Sequence, residues 1–367
     1  MLWPCSEAEP TGTGMKWAIS YTATRCSLIH SPDALSHAAC MTTARSQLVD
    51  PTAPGFYHCI SRCVRRAFLC GDDALTGRSF KHRKQWVEDR VLELAEIFAV
   101  GVYAYAVMSN HVHLVLYVDP DATYAWSANE VAERWVQLAP ARANGEIDPE
   151  ACRARAQVLA GNPARIAVLR DRLGSLSWFM KCLNEPIARR ANREDACTGH
   201  FWESRFKCQA LLDDAAVLAC MSYVDLNPIR ARIAADLATS THTSAQRRLA
   251  GREVSSQCPL EPVAGSARAI LMPLGLVEYL VLVDWTGRLQ RPDKRGAIAV
   301  DAPSVLTRLG IAPDQWQSQA AGIETHYWRA VGAVDALIDK ARTMGLCWLK
   351  GKGSARGSTH QMANVHS

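Results

Sequence analysis

The amino-acid sequence predicts a domain that mixes β-strands with α-helices. Short runs of β-branched and aromatic residues, bounded by turn residues, indicate strands. Longer segments repeat apolar residues at about 3.6-residue spacing, which indicates amphipathic helices. A third observation is the change of character near residue 236, after which the sequence becomes polar and linker-like. The chain of 367 residues is long enough for two domains, or for one domain with large additions.

The first half of this domain is predicted to hold a strand, a helix and a hairpin. Residues 56–62 indicate the first strand, and residues 81–99 carry the apolar spacing of a helix. Residues 102–108 and 111–118 indicate two further strands, separated by the turn pair Ser109-Asn110. These two strands are therefore expected to pair with each other.

The second half is predicted to be mainly helical. About residues 121–172 are rich in Ala, Arg and Glu and are typical of a helical insertion in the core fold. Residues 173–190 indicate an amphipathic helix, and residues 199–211 indicate a loop that leads into a strand. Asp213 is the predicted N-cap of a last helix, which extends to about Asn227.

The sequence also predicts where the domain begins and ends. Residues 1–45 show no steady period and are predicted to be a disordered tail, so the core domain spans residues 46–235. Residues 236–262 are expected to be a linker, and residues 263–350 a mainly helical accessory domain. The polar residues 351–367 are expected to fray.

Composition narrows the class of protein. The chain has 41 Lys and Arg against 36 Asp and Glu, a mild excess that is compatible with a nucleic-acid partner but is not evidence for one. The thirteen cysteines include no C-x-x-C pair, and no secretory signal opens the chain. We therefore expect reduced thiols in a cytoplasmic protein. No apolar run reaches the roughly 18 residues that a membrane span needs.

The first candidate site is the pair His111 and His113 in the third predicted strand. Residues i and i+2 of a strand point to the same face, so the two imidazoles would lie side by side. Two imidazoles on one face form half of a divalent-metal site. An H-x-H pair in a strand is more often incidental, so the pair alone does not establish a metal site.

The second candidate is the pair Tyr223 and Asn227 in the last predicted helix. Residues four apart share one helix face, and an amide oxygen can bind a hard cation. A phenol beside that cation would deprotonate more readily, and the cation would also polarise a phosphate oxygen. The alternative is structural: Tyr223 packs against the sheet and Asn227 caps the helix before Pro228.

The third candidate is the segment 201–207, which interleaves aromatic and basic residues. Aromatic rings stack on bases and cations follow phosphates, so this pattern is typical of a surface for single-stranded nucleic acid. An ordinary strand with Trp and Phe inward, and Arg and Lys in solvent, would show the same pattern.

The order and spacing of four segments resemble those of the single-tyrosine HUH transposases, and most closely their REP-associated tyrosine transposase branch. The resemblance covers about residues 50–235 and rests on four segments in sequence, 57–62, 107–115, 201–206 and 223–228. It implies an α+β, ferredoxin-like fold whose antiparallel sheet carries the histidines, beside a helix that carries the tyrosine.

The resemblance also implies a chemistry. His111, His113 and Asn227 would bind Mg²⁺ or Mn²⁺, and Tyr223 would attack a phosphodiester of single-stranded or hairpin DNA to form a 5′-phosphotyrosine. Candidate DNA contacts are Arg62, Arg65, Arg66, Trp202, Arg205 and Lys207.

Two alternatives stay open at this point. One is a catalytically inactive or domesticated regulator that binds DNA or RNA on the same fold. The other is a metal-dependent hydrolase unrelated to DNA, in which a carboxylate such as Asp225 completes the metal site. The DNA sequence that is recognised, and whether the chain is a monomer or a homodimer, are also left open.

Overall fold

The structure is a computed structural model of the full chain. It describes residues 45–64, 70–72, 77–250, 258–269, 271, 273–289, 302–327 and 329–351. The predicted tails therefore lie almost wholly outside the described residues. The described part has a mixed α+β architecture, in which a five-stranded, mostly antiparallel sheet is packed between helices.

The strands form one main sheet and one small hairpin. They are β1 (Gly55–Arg62), β2 (Val100–Val107), β3 (His111–Val118), β4 (Arg142–Ala143), β5 (Glu146–Ile147), β6 (Lys207–Leu211) and β7 (Ala330–Val331). The order across the main sheet is β2-β3-β1-β6-β7. Its neighbours are antiparallel except β6 and β7, which are parallel. The predicted first strand and the predicted hairpin of β2 with β3 are both confirmed.

The helices flank this sheet and continue beyond it. They are α1 (Arg45–Leu48), α2 (Arg83–Ile97), α3 (Ala128–Gln137), α4 (Pro149–Ala160), α5 (Pro163–Leu173), α6 (Leu176–Glu194), α7 (Asp214–Asp225), α8 (Asn227–Arg230), α9 (Ser244–Leu249), α10 (Leu276–Leu289), α11 (Ser304–Leu309), α12 (Pro313–Gly322) and α13 (Val334–Thr343). Among the described residues, no helix is both long and apolar enough to cross a membrane.

Different helices cover the two faces of the sheet. On one face, the Asn184 amide of α6 donates to the Ser61 hydroxyl of β1 at 2.9 Å, and α2 packs beside α6. On the opposite face, α7 packs against β2 and β3. Helix α7 starts where the sequence predicts, because the Asp213 carboxylate accepts from the Ala216 backbone N–H at 2.8 Å.

The segment predicted as a helical insertion is mainly helical. It contains α3, α4 and α5, which pack against one another. Each helix begins at a polar cap, namely Ser127, Asp148 and Asn162. The short hairpin of β4 and β5 was not predicted. Its turn is built on Asn144 and Gly145, which both have positive φ.

The C-terminal region shares the sheet and the core with the rest of the described chain. Residues Ala330 and Val331 of β7 pair with Ala210 and Leu211 of β6, and α10 and α12 pack against α7. The sequence suggests a linker at residues 236–262, but this stretch contains the ordered helix α9. The hydrophobic core therefore continues from the sheet into the helices that follow it.

Candidate active site

The strand register brings three polar side chains together on the face that α7 covers. Gln209 of β6 lies directly opposite His58 of β1. His113 of β3 lies opposite Ile60, so it is a diagonal neighbour of His58 on the same face. Gln209, His58 and His113 are all buried. A row of polar groups therefore crosses three adjacent strands inside an otherwise apolar core.

These three side chains form a continuous chain of hydrogen bonds. The Gln209 Nε2 group donates to the backbone carbonyl of Ile323 at 2.9 Å. Its Oε1 lies 2.8 Å from His58 Nδ1, and His58 Nε2 lies 3.0 Å from His113 Nδ1. The row is thus anchored at one end in the C-terminal region and ends at one of the predicted metal ligands.

The two predicted histidine ligands lie side by side. The ring centroids of His111 and His113 are 4.6 Å apart, and His111 Nδ1 is 2.5 Å from Asn110 Oδ1. Burial lowers the pKa of His111 to about 4, and it lowers the pKa of His113 well below its usual value. Both imidazoles are therefore neutral near pH 7, which is the form that binds metals.

The other two predicted site residues reach the same place from α7 and α8. Asn227 Nδ2 is 3.1 Å from His113 Nε2, and the ring of Tyr223 lies 5.8 Å from that of His113. The sequence predicts one helix as far as Asn227, but α7 ends at Asp225 and α8 begins at Asn227. Pro228 has no N–H with which to continue the helical bonding, so the chain breaks at this point.

Two residues that the sequence analysis missed contact the Tyr223 side chain. The Tyr223 hydroxyl donates to Glu324 Oε1 at 2.8 Å, and this carboxylate oxygen of Glu324 is 3.6 Å from His113 Nε2. The guanidinium carbon of Arg230 lies 4.2 Å from the centre of the Tyr223 ring. Burial and the Glu324 carboxylate raise the pKa of the phenol, and Arg230 opposes them. The phenol is accordingly protonated near pH 7.

Only some of the missed residues have a signal in the sequence. His58 lies in the first predicted strand, but it has no histidine near it in sequence. Its partner, His113, is set by strand pairing alone. Arg230 follows Asn227 by three residues and so lies one helical turn away. Glu324 has no motif around it, and only the packing of the C-terminal region brings it to the site.

Asp225 faces away from the histidines. Its Oδ1 accepts from the Ala245 backbone N–H at 3.0 Å and from the Ser244 hydroxyl, and its Oδ2 accepts from the Tyr279 hydroxyl at 2.6 Å. The carboxylate is fully buried among these donors. Asp225 therefore does not complete a metal site with His111 and His113, which removes the support for the unrelated hydrolase.

The candidate DNA contacts have different environments. Arg62, Arg205 and Lys207 are exposed, and Arg62 lies opposite His111 in the strand register. Trp202 is half-buried, and its indole N–H donates to the Asn184 carbonyl at 2.8 Å. Arg65 and Arg66 lie outside the described residues.

The donor set determines which ligand the site suits. Among the described residues, no group of three His, Cys, Asp or Glu side chains is arranged to hold a metal ion. The predicted trio differs because its third member is the Asn227 amide. The Asn227 Nδ2 group faces His113, so the amide would have to turn to present its oxygen to a cation. With that turn, two neutral imidazoles, an amide oxygen and the Glu324 carboxylate form a mixed nitrogen and oxygen set, which is compatible with a divalent cation.

Comparisons with known proteins give one distant similarity. No protein-family model and no curated protein matches the chain. A solved structure of a REP-associated tyrosine transposase bound to a REP hairpin matches 59% of this chain and 88% of its own, with 11% identity and a TM-score of 0.31. Identity and TM-score are both low, so this similarity supports no conclusion about the chain.

Proposed function

We propose that the chain is a transposase-type endonuclease and strand transferase that cleaves single-stranded or hairpin DNA with Tyr223 as its nucleophile. One observation carries this proposal: Tyr223, His111, His113 and Asn227 converge on one face of the sheet, although His113 and Asn227 are 114 residues apart in sequence. If the histidine pair were incidental and Tyr223 served only in packing, nothing would require these side chains to lie next to one another.

The residues fit a divalent cation. His111, His113 and Asn227 would hold Mg²⁺ or Mn²⁺, and the Glu324 carboxylate adds negative charge 3.6 Å from His113 Nε2. A bound cation supplies positive charge that polarises a phosphate oxygen and favours the phenolate. The raised pKa of the Tyr223 phenol is the reason that such a charge is needed.

Each protein group then has a role in the cleavage step. The Tyr223 oxygen forms a bond to phosphorus while the bond from phosphorus to the 3′ oxygen breaks, which leaves a 5′-phosphotyrosine and a 3′-hydroxyl. Glu324 accepts the hydrogen bond of the phenol at 2.8 Å and is the nearest carboxylate that can receive its proton. The departing 3′ oxygen takes a proton from water. Rejoining reverses these steps with the 3′-hydroxyl of another strand, so no nucleotide cofactor is required.

The order of the elements supports the proposed fold. The succession of β1, α2, β2, β3, α6 and β6 is β-α-β-β-α-β, and these strands lie in the order β2-β3-β1-β6. A ferredoxin-like unit has this succession. We therefore propose a ferredoxin-like core of the HUH endonuclease type.

Exposed basic residues support a DNA partner. Arg62, Arg205 and Lys207 lie at the ends of β1 and β6 near the candidate site. Positive side chains in such positions bind phosphates without reading the base sequence. The proposed partner is a single strand or a hairpin whose backbone passes over His111 toward Tyr223.

A covalent-adduct assay tests this function. Labelled single-stranded DNA from the flanks of the gene is incubated with Mn²⁺, and a protein–DNA adduct is sought on a denaturing gel. We expect an adduct with the natural chain and with Tyr124→Phe, a control at an exposed tyrosine in the helical insertion. We expect no adduct with Tyr223→Phe or with His111→Ala combined with His113→Ala. An adduct that persists in Tyr223→Phe would identify another residue as the nucleophile.

One observation favours a second candidate, an inactive or domesticated regulator that binds DNA or RNA. Tyr223 is only 7% exposed, and Glu324 already accepts its hydroxyl hydrogen. Such a regulator would bind oligonucleotides and give no adduct at any Mn²⁺ concentration. The same assay, combined with a binding measurement, distinguishes the two candidates.

A further inference from the structure

We infer that Gln209 and His58 are positioning residues that fix which ring nitrogen of His113 carries the proton, and that they thereby make Nε2 the nitrogen whose lone pair can bind a divalent cation. This inference deepens the proposed function, on which its reference to a metal rests. It concerns residues to which the sequence analysis gave no role, and it follows from the direction of four consecutive hydrogen bonds.

The direction is set at the Gln209 end. A backbone carbonyl can only accept, so the group that faces the Ile323 oxygen at 2.9 Å must be the amide nitrogen of Gln209. A second carbonyl, that of Tyr327, lies 3.4 Å from the same nitrogen. The amide therefore has one possible orientation, and its Oε1 must face His58.

That orientation determines both imidazoles. The Gln209 Oε1 can only accept, so His58 Nδ1, at 2.8 Å, carries a hydrogen. In a neutral imidazole the other nitrogen then has a lone pair, so His58 Nε2 accepts from His113 Nδ1 at 3.0 Å. The lone pair of His113 is consequently on Nε2. Both rings are fully buried away from water, which favours their neutral form.

The opposite end of the hydrogen-bonded row, at Asn227, agrees with this assignment. Asn227 Nδ2 lies 3.1 Å from His113 Nε2, as expected for an amide N–H that donates to a lone pair. The lone pair faces the region between Asn227 and Glu324, where the proposed cation would lie. A cation can then bind at Nε2 in place of the Asn227 N–H, once that amide turns its oxygen toward the cation, and it displaces no proton from the ring. Hydrogen bonds of the kind made by His58 raise the affinity of a histidine for metals.

The reverse assignment would block the site. If His58 donated from Nε2, His113 would accept at Nδ1 and carry its hydrogen on Nε2, where it would point at Glu324 or Asn227. The acceptor on Gln209 excludes this arrangement. Ile323 and Tyr327 flank Glu324 in sequence, so one short segment both orients Gln209 and contacts Tyr223.

Nitrogen-15 NMR of the histidine rings tests the inference on the full chain without metal or DNA. In the natural chain we expect His113 to carry hydrogen on Nδ1 and none on Nε2. His58→Gln places an amide oxygen near the position of His58 Nε2, so it should keep this tautomer. His58→Leu removes the acceptor and should give a mixture of tautomers. Its Mn²⁺ affinity, from the EPR signal of free Mn²⁺, should fall about 10- to 100-fold, and that of His58→Gln much less.

Gln209→Met tests the first residue of the hydrogen-bonded row. It provides the measurement if His58→Leu does not fold. It should also mix the tautomers of His113. A natural chain with hydrogen on His113 Nε2, or an unchanged single tautomer in both His58→Leu and Gln209→Met, would overturn the inference. Because the NMR result needs no cleavage, it stands or falls separately from the adduct assay that tests the proposed function.

Discussion

The end of α7 carries two polar clusters on opposite sides, and they differ in how completely their hydrogen bonds are filled. On one side, both Asp225 oxygens accept from buried donors. On the other side, His113 Nε2 has one neighbouring donor at 3.1 Å, and the Glu324 side chain is 33% exposed. The filled cluster is suited to holding the structure together. The cluster in which the imidazole lone pair has a single amide donor and the carboxylate is accessible is suited to chemistry.

The Asp225 cluster also explains how the C-terminal region is attached. Ser244 lies at the start of α9 and Tyr279 lies in α10, so one carboxylate connects α7 with both helices. Burial raises the pKa of Asp225, while Arg248 and the hydrogen bonds of Ser244 and Tyr279 oppose this. A buried carboxylate of this kind is tolerated only because its partners are present.

The largest expected effect is therefore on stability. Asp225→Ala leaves the Ser244 hydroxyl, the Ala245 N–H and the Tyr279 hydroxyl without an acceptor. The free energy of unfolding should fall by about 3–5 kcal/mol, as for other broken buried charge networks. Urea denaturation measures it. Asp171→Ala, at an exposed aspartate of α5, is the control and should change stability by less than about 0.5 kcal/mol.

Asp225→Asn distinguishes the Asp225 cluster from the histidine cluster more sharply, since it keeps the volume of the side chain and most of its hydrogen bonds. It should cost less than Asp225→Ala and leave the Mn²⁺ affinity unchanged. If Asp225→Asn weakened Mn²⁺ binding while Asn227→Ala did not, the assignment of the two sides would have to be exchanged.

The second prediction concerns pH and the histidine side. The folded pKa of His111 is about 4, below its ordinary value near 6.5, so the unfolded chain binds more protons between these values. The stability of the metal-free protein should therefore be complete above pH 6.5 and fall as the pH drops toward 4. His111 alone accounts for about 3 kcal/mol between pH 7 and pH 4. Urea midpoints across this range measure the loss. His111→Gln should reduce the loss without abolishing it, because the lowered pKa values of His58 and His113 contribute over the same range.

Local spacing in the sequence was enough to predict which pairs of the four candidate residues would be neighbours. The i, i+2 rule for a strand placed His111 and His113 together, and the spacing of Tyr223 and Asn227 placed them on one side of the helix end. Both rules depend on neighbours in sequence. The predicted helix, hairpin and N-cap at Asp213 follow from the same kind of local signal.

The remaining site residues depend on contacts between distant segments. His58 meets His113 only because β1 pairs with β3 in one register, and a shift of one residue would turn it to the other face. Glu324 reaches Tyr223 across 101 residues through the packing of the C-terminal region. Neither pairing register nor helix packing leaves a pattern in one sequence, so these contacts could not be predicted.

The smallest expected effect comes from Asn227→Ala. The amide is a neutral group beside an imidazole that other residues already orient, so its loss removes one ligand and about 0.5–1.5 kcal/mol of hydrogen bonding. Stability should change by no more than that amount. Mn²⁺ affinity should fall about tenfold, which corresponds to about 1.4 kcal/mol. Adduct formation should then recover as Mn²⁺ is raised, because mass action refills a weakened site. A Mn²⁺ titration of the adduct yield measures this, with the double histidine variant as the case that does not recover. If Asn227→Ala stayed inactive at every Mn²⁺ concentration, the amide would have a role in positioning DNA or Tyr223 beyond that of a ligand.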